Sequence, residues 1–108
     1  MILILGGAYQ GKRAFAEKQF PGKTIVDRYH ETVREQLRNG EDPLAAAESL
    51  AASGKDLVIL MDEVGSGVVP MEKEERVWRE MCGRCACIFA EQAEMVFRVA
   101  SGIGVRIK

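Results

Sequence analysis

A glycine-rich stretch near the start of the chain has the residue types and the spacing of a phosphate-binding loop. It follows an apolar run over residues 1–5, and Lys12 follows its last glycine. Glycines let successive backbone N–H groups face an anion, a following helix N-terminus adds partial positive charge, and the lysine reaches the β- and γ-phosphates. The predicted nucleotide-binding residues are Gly6, Gly7, Ala8, Tyr9, Gln10, Gly11, Lys12 and Arg13. The alternative is a glycine-rich turn that binds nothing.

Arg13 departs from the usual pattern of such a loop. A serine or threonine normally stands at this position, and its hydroxyl is a ligand of the Mg²⁺ ion held between the phosphates. Arginine has N–H donors and no acceptor, so it contacts phosphate but does not ligate a cation. The sequence therefore predicts binding of GTP or ATP. Arg13 argues against Mg²⁺ as a cofactor, although the sequence leaves Mg²⁺ binding open.

Carboxylates follow two other apolar runs of the sequence. Asp62 and Glu63 come directly after residues 57–61, and Asp27 comes after residues 24–26. The carboxyl ends of parallel strands form the edge at which α/β proteins bind ligands. An acid at this edge can hold a metal or orient water, so Asp27 and Asp62 are candidate metal ligands. Helix capping and surface solvation are the alternative explanations for these acids.

The apolar pattern around these residues predicts an α/β fold. Strands are predicted over residues 1–5, 24–26, 57–61, 95–100 and 105–108, with residues 101–104 as a hairpin loop. Helices are predicted over residues 12–20, around Tyr29, Val33 and Leu37, over 44–52 behind an Asp42 N-cap, and over about 71–93. This alternation indicates a mostly parallel sheet of about five strands with an antiparallel C-terminal edge. With the loop, it predicts a P-loop NTPase-like three-layer sandwich, a single nucleotide-binding domain over residues 1–108.

The composition excludes several classes of protein. The 108 residues are 47% hydrophobic and 29% charged, as in an ordinary globular protein, and carry a net charge of -1. This balance gives no basic field for nucleic acid. The longest apolar runs are too short for a membrane span or a signal peptide. We therefore expect neither a nucleic-acid nor a membrane partner. The three cysteines, an odd number within residues 82–87, do not make a disulfide framework, so we expect a cytoplasmic protein.

A few single residues invite a functional interpretation. His30 is the only histidine, and its place after a predicted strand favours a capping or surface group over a nucleophile. Cys82, Cys85 and Cys87 have a spacing found in metal sites, but they fall within a periodic helix. Cys82 and Cys85 are therefore predicted to be small buried hydrophobic residues. Trp78 shares their face and is predicted to lie in the core or at a subunit contact.

The second half of the chain resembles one enzyme family. Residues 63–70 read Glu-Val-Gly-Ser-Gly-Val-Val-Pro, and Arg76, Trp78-Arg79, Gly83-Arg84 and residues 101–103 follow. These motifs resemble the bifunctional adenosylcobinamide kinase / adenosylcobinamide-phosphate guanylyltransferase family of cobalamin biosynthesis. The phosphate loop of that family, GGARSGKS, is similar to GGAYQGKR here. The resemblance covers roughly residues 1–20 and 57–108 of this sequence.

The resemblance implies a function for this chain. The family is trimeric and transfers groups from a nucleoside triphosphate to a corrinoid, so both ligands and a homotrimer are expected partners. Lys12 matches the lysine of its phosphate loop and Glu63 its strand-end glutamate, which makes these two the candidate catalytic residues, while Asp62 replaces a common asparagine.

Family members are longer than this chain. The alignment places the missing block near residues 22–23, and in the family that block bears a guanylylated histidine. The resemblance therefore predicts nucleotide binding, at most residual adenosylcobinamide kinase activity and loss of guanylyltransferase activity. An inactive nucleotide- or anion-binding regulatory module is the alternative, and a generic P-loop ATPase using Asp62 and Glu63 is a weaker one. Whether another chain supplies the missing block is left open.

Overall fold

The computed structural model describes residues 1–53, 56–64 and 71–108, which form alternating strands and helices. The strands of this part are β1 (Ile2–Gly6), β2 (Thr24–Val26), β3 (Leu57–Asp62), β4 (Met95–Ala100) and β5 (Ile103–Arg106). Its helices are α1 (Lys12–Gln19), α2 (Tyr29–Arg38), α3 (Pro43–Ser53) and α4 (Lys73–Gln92). None of the helices in the described ranges is long and apolar enough to cross a membrane.

The strands form one sheet with β1 at its centre. The order is β2-β3-β1-β4-β5, and β1 pairs in parallel with both β3 and β4. The β2 strand is parallel to β3, and β5 is antiparallel to β4 at the opposite edge. A central parallel strand is covered on both faces, which is why β1 and β3 are nearly continuous apolar runs. The predicted mostly parallel sheet with an antiparallel C-terminal edge is confirmed.

Helices cover both faces of this sheet, so the molecule has three layers. Side chains of a strand alternate between the two faces. On β1, Ile2 and Ile4 pack in a cluster with Ala16 of α1. Leu3, on the other face, belongs to a cluster with residues of α2, α3 and α4, among them Phe89. The three-layer arrangement predicted for the chain is thereby confirmed.

The C-terminal hairpin has a shorter loop than predicted. Residues 101–104 were expected to connect the strands, but β5 begins at Ile103, which lies opposite Ala100. Ser101 and Gly102 alone make the turn, with φ angles of 51° and 76°. Two consecutive positive φ angles suit a tight turn whose twist matches that of the flanking strands. The prediction of a four-residue loop was wrong because Ser101 adopts the left-handed conformation that the turn needs.

The start of α3 follows its local sequence signals, whereas the ends of α4 differ slightly from the prediction. The Asp42 carboxylate accepts hydrogen bonds from the N–H groups of Leu44, at 3.0 Å, and Ala45, at 3.4 Å, as expected of an N-cap. Pro43 occupies the first position of α3, where its missing N–H costs no helical hydrogen bond. The α4 helix is shorter than predicted by two residues at its start and one at its end.

Gly6, the last residue of the central strand, lies against the backbone of β4. A Cβ atom at this position would be 2.4 Å from the carbonyl oxygen of Val99 on β4, and a backbone carbonyl inside a sheet has little room to move. Glycine is therefore required here by packing.

We predict that Gly6→Ala lowers the free energy of unfolding by about 1–3 kcal/mol, the usual cost of overpacking. The matched control is Gly83→Ala on α4, because a Cβ at Gly83 meets no atom of the described residues within 4 Å. Alanine there should raise the free energy of unfolding by up to about 1 kcal/mol through helix propensity. Urea denaturation of both variants measures the difference, and equal effects would contradict the packing argument.

Candidate functional site

The predicted phosphate loop joins β1 to α1 at the carboxyl edge of the sheet. Gly6 is the last residue of β1, and Lys12 is the first residue of α1. Gly11 forms the N-cap of α1 with φ 88°, a left-handed conformation that favours glycine. Tyr9 also has a positive φ and is fully exposed. The loop thus turns sharply into the helix N-terminus.

The C-terminal hairpin supports this loop through Gln10. The backbone carbonyl of Gln10 accepts a hydrogen bond from the N–H of Gly102 at 2.8 Å. Its side-chain Oε1 accepts another from the N–H of Ser101, also at 2.8 Å. Gln10 and Ser101 are 91 positions apart in sequence, and no local signal links them. The turn between β4 and β5 is therefore part of the structure that shapes the loop.

Lys12 points into the loop and meets Asp62. Its side chain is nearly buried, and its Nζ donates to the carbonyl of Gly7 at 2.8 Å and lies 2.6 Å from Oδ1 of Asp62. The parallel register of β1 and β3 places Gly6 opposite Asp62. The strand-end argument from sequence thus located the carboxylate beside the loop correctly.

Arg13 and Asp27 form a second ion pair at the same edge. Nη1 of Arg13 lies 3.0 Å from Oδ2 of Asp27, and its Nε donates to Oε1 of Glu17 at 2.8 Å. The hydrogen bonds with Asp27 first, and Glu17 second, raise the pKa of the Arg13 guanidinium. The two predicted metal ligands, Asp27 and Asp62, are therefore each paired with a cation of the protein. In the described ranges, no cluster of three or more His, Cys, Asp or Glu side chains could hold a metal ion.

His30 lies in the interior, so the expectation of a capping or surface residue was wrong. Its Nδ1 accepts a hydrogen bond from the backbone N–H of Asp62 at 3.1 Å, and its Nε2 lies 3.4 Å from Oδ2 of the same residue. Its carbonyl accepts the indole N–H of Trp78 at 2.7 Å. The left-handed Arg28, with φ 52°, turns the chain so that the first turn of α2 packs on the end of β3.

These contacts define the protonation state of His30. An Nδ1 that accepts a hydrogen bond leaves the proton of a neutral imidazole on Nε2, facing the Asp62 carboxylate. Burial lowers the pKa of His30, against a smaller opposing effect of Asp62. The neutral form is thus the one that the native structure favours.

One cavity of about 280 Å³ brings most of the predicted site together. It is lined by Ala8, Tyr9, Gln10, Gly11, Lys12, Arg13, Asp27, Arg28, His30 and Asp62. Residues 8–13 of the loop and both candidate metal ligands therefore share one pocket, whereas the predicted loop residues Gly6 and Gly7 are not part of its lining. Arg28 and His30 were not predicted to belong to it, because only tertiary packing carries the start of α2 to the end of β3.

Glu63 lies outside this pocket. Its carboxylate forms a two-pronged pair with Arg98 on β4, with oxygen–nitrogen distances of 2.9 and 3.0 Å. It lines a neighbouring cavity of about 250 Å³ together with Val64 and Cys82. The structure therefore separates the two candidate catalytic residues, Lys12 and Glu63, into adjacent cavities. Residues 65–70, which complete the Glu-Val-Gly-Ser-Gly-Val-Val-Pro motif, lie outside the described residues.

The other singled-out residues belong to the packing of α4. Cys82 and Cys85 are buried as predicted, and burial raises their thiol pKa values to about 12 and about 11. Trp78 is a core residue, one of the two places predicted for it, and the Arg34 guanidinium lies 3.8 Å from its ring centroid. A larger groove of about 540 Å³ runs along Arg34 and Trp78, away from the loop.

The fold is that of a three-layer α/β protein with a mostly parallel five-stranded sheet, consistent with a P-loop-like fold. The family model of cobinamide kinase / cobinamide phosphate guanyltransferase matches residues 23–107 of the chain. The chain therefore belongs to this family. The match begins at residue 23, beside the place where the sequence alignment puts the missing block.

Two curated proteins, both named bifunctional adenosylcobalamin biosynthesis protein CobU, are similar to the chain. The Escherichia coli (strain K12) protein is 35% identical over 89 residues, which cover 82% of this chain and 49% of that protein. The Salmonella typhimurium (strain LT2) protein is 42% identical over 52 residues, 48% of this chain and 29% of that protein. The chain thus spans at most about half the length of these relatives.

The buried neutral His30 predicts a specific acid sensitivity. As the pH falls below the ordinary histidine pKa of 6.5, the unfolded chain takes up a proton that the native imidazole resists, since burial lowers its pKa. The free energy of unfolding should therefore fall with pH from about 6.5 to the lower native pKa, by up to about 1.4 kcal/mol per pH unit.

The matched control is His30→Asn, whose side-chain oxygen can accept the Asp62 N–H but does not titrate. Urea denaturation of both proteins at several pH values from about 8 to about 5 measures the difference, because these values lie on both sides of the ordinary histidine pKa of about 6.5. Parallel pH profiles for wild type and variant would show that His30 contributes nothing to the acid sensitivity.

Proposed function

We propose that the chain binds the triphosphate of GTP or ATP at the phosphate loop, as one nucleotide-binding domain over residues 1–108, and acts as a cobinamide kinase-like protein. The observation that carries this proposal is the placement of Lys12. Its nearly buried ammonium lies inside the pocket formed by the loop, next to the Asp62 carboxylate. Family membership supports the substrate class, and the loop geometry supports the site.

The proposed chemistry is stabilisation of phosphate charge. The loop and the N-terminus of α1 surround the anion with partial positive charge, and Lys12 supplies a full one. A phosphate oxygen that enters the pocket takes the place of Asp62 Oδ1 or of the Gly7 carbonyl as the partner of Lys12 Nζ. Charge that develops on the transferred phosphoryl group is then balanced by this ammonium.

Asp62 and Glu63 are proposed to face the acceptor. His30 accepts a hydrogen bond from the Asp62 backbone N–H, and its Nε2 faces the Asp62 carboxylate. These contacts keep the carboxylate in its orientation when Lys12 turns to phosphate. Glu63 and Arg98 line the adjacent cavity, where a hydroxyl of a corrinoid acceptor would meet them. The corrinoid and the homotrimer implied by the resemblance stay predictions.

Loss of guanylyl transfer is supported by the contacts of His30. A histidine nucleophile must offer a nitrogen lone pair to the α-phosphorus. The Nδ1 lone pair of His30 accepts the Asp62 N–H, and its Nε2 carries the proton toward the carboxylate. The only histidine of the chain is thus engaged on both ring nitrogens.

The competing function is an inactive nucleotide- or anion-binding module. Arg13 favours it, because the residue that normally helps to hold Mg²⁺ is replaced by a cation. An assay of adenosylcobinamide phosphorylation with ATP and with GTP separates the two. Formation of the phosphorylated corrinoid supports the kinase, whereas saturable nucleotide binding without turnover supports the module.

We predict that Lys12→Ala weakens binding of GTP and ATP by about 10- to 100-fold, the effect of losing a charge-assisted hydrogen bond. The control is Lys18→Ala, which removes the same charge from an exposed position on the same helix. Isothermal titration of both variants measures the change. Equal affinities for the two variants would place the nucleotide elsewhere.

A second prediction concerns the covalent step. Incubation with GTP labelled on the α-phosphate should leave the purified chain unlabelled after denaturation, because His30 has no ring nitrogen available. Label that disappears in His30→Asn would overturn this assignment and establish guanylyl transfer through His30.

A further inference from the structure

The position that normally supplies a hydroxyl to Mg²⁺ holds a guanidinium in this chain. Arg13 follows Lys12 in the first turn of α1 and lines the same cavity. A P-loop protein of this class would bind its nucleotide with Mg²⁺, held by a Ser or Thr hydroxyl and a strand-end acid. Arginine has no lone pair to offer a cation. One of the two protein ligands is therefore absent by residue type.

The acids at the strand ends are also engaged by cations. Asp27 Oδ2 lies 3.0 Å from Arg13 Nη1, and Asp62 Oδ1 lies 2.6 Å from Lys12 Nζ. A divalent ion at Asp27 would lie against the Arg13 guanidinium and be repelled by it. The residues of the pocket therefore do not fit Mg²⁺.

The same residues fit phosphate without a metal. Three cations line the cavity, namely Lys12, Arg13 and Arg28, against two carboxylates, Asp27 and Asp62. Among the described side chains that line the cavity, the positive charges thus outnumber the negative ones by one, while Glu17, which pairs with Arg13 Nε at 2.8 Å, lies outside the lining. The guanidinium fork also matches two phosphate oxygens at once, which an ammonium group does not.

Arg13 is placed to exchange its partner. Its side chain is 57% exposed and sits at the rim of the pocket, so it can leave Asp27 for an incoming phosphate without disturbing the core. Arg13 then supplies the positive charge from the protein itself, whereas in the usual P-loop site a bound Mg²⁺ ion supplies it.

Resting on the proposed function, we propose that Arg13 replaces Mg²⁺ in this pocket, so that the nucleotide triphosphate binds in its metal-free form. Lys12 and Arg13 neutralise the phosphates, and Asp27 holds Arg13 in position while the pocket is empty. Nucleotide binding therefore requires no divalent cation, and added Mg²⁺ weakens it by competing for the phosphate oxygens.

The test is isothermal titration of GTP and of ATP into the full chain, in EDTA and in excess Mg²⁺. The wild type should bind in EDTA at least as tightly as in Mg²⁺. Arg13→Ser should lose about tenfold in EDTA, as expected for a charge-assisted contact, and should regain affinity with Mg²⁺ through the new hydroxyl. Lys18→Ser, which removes the same charge from an exposed position on α1, should behave as wild type.

The outcomes separate the two proposals. Wild-type affinity that rises tenfold or more on addition of Mg²⁺ overturns the role of Arg13 and leaves nucleotide binding intact. An Arg13→Ser profile identical to that of Lys18→Ser overturns it as well. Absence of binding in both buffers, with the fold verified by its unfolding transition, overturns the proposed function itself.

Discussion

The parallel pairing of β1 with β3 is the contact on which the candidate site depends. It places Gly6 opposite Asp62, and the N–H of Glu63 donates to the carbonyl of Gly6 at 2.9 Å. Both strands are buried on two faces, and a shift of one residue would carry each side chain to the opposite face. The register is therefore held by the whole core, and the distance between the loop and the strand-end carboxylate is set with it.

Asp62 connects the layers at this point. One carboxylate oxygen pairs with Lys12 of α1, and the other faces the imidazole of His30 on α2. The His30 carbonyl in turn accepts the indole N–H of Trp78 on α4. A charged group removed from much of its water needs such partners, because an unpaired one would carry a large desolvation cost. The site and the packing of three helices are thus stabilised by one set of contacts.

The C-terminal hairpin has a structural role in the loop that its position in sequence does not suggest. Its turn donates two N–H groups to Gln10, and Gly6 leaves room for the carbonyl of Val99 on the same hairpin. Loop residues that bind an anion must be held in place before the anion arrives, since ordering them on binding would cost affinity. The hairpin supplies this order through its hydrogen bonds to Gln10.

Much of the fold could be predicted because its signals are local. The apolar runs of β1 and β3, the glycines before Lys12 and the Asp42 cap each act within a few residues, and the structure has each element where these signals place it. The tight turn at Ser101 was mispredicted because a serine gives no clear sign of a left-handed conformation. The burial of His30 was missed because its partners, Asp62 and Trp78, are 32 and 48 residues away.

The sequence by itself determined the kind of loop, the order of strands and helices and the replacement of a hydroxyl by Arg13, since residue type and spacing are sufficient for these. Only the tertiary structure decided which groups meet. Strand register places Asp62 next to Lys12, and the start of α2 places His30 next to Asp62. Glu63 pairs with Arg98 and so lies in the adjacent cavity. Such contacts depend on how crossovers and register bring distant residues together, and no local pattern records that geometry.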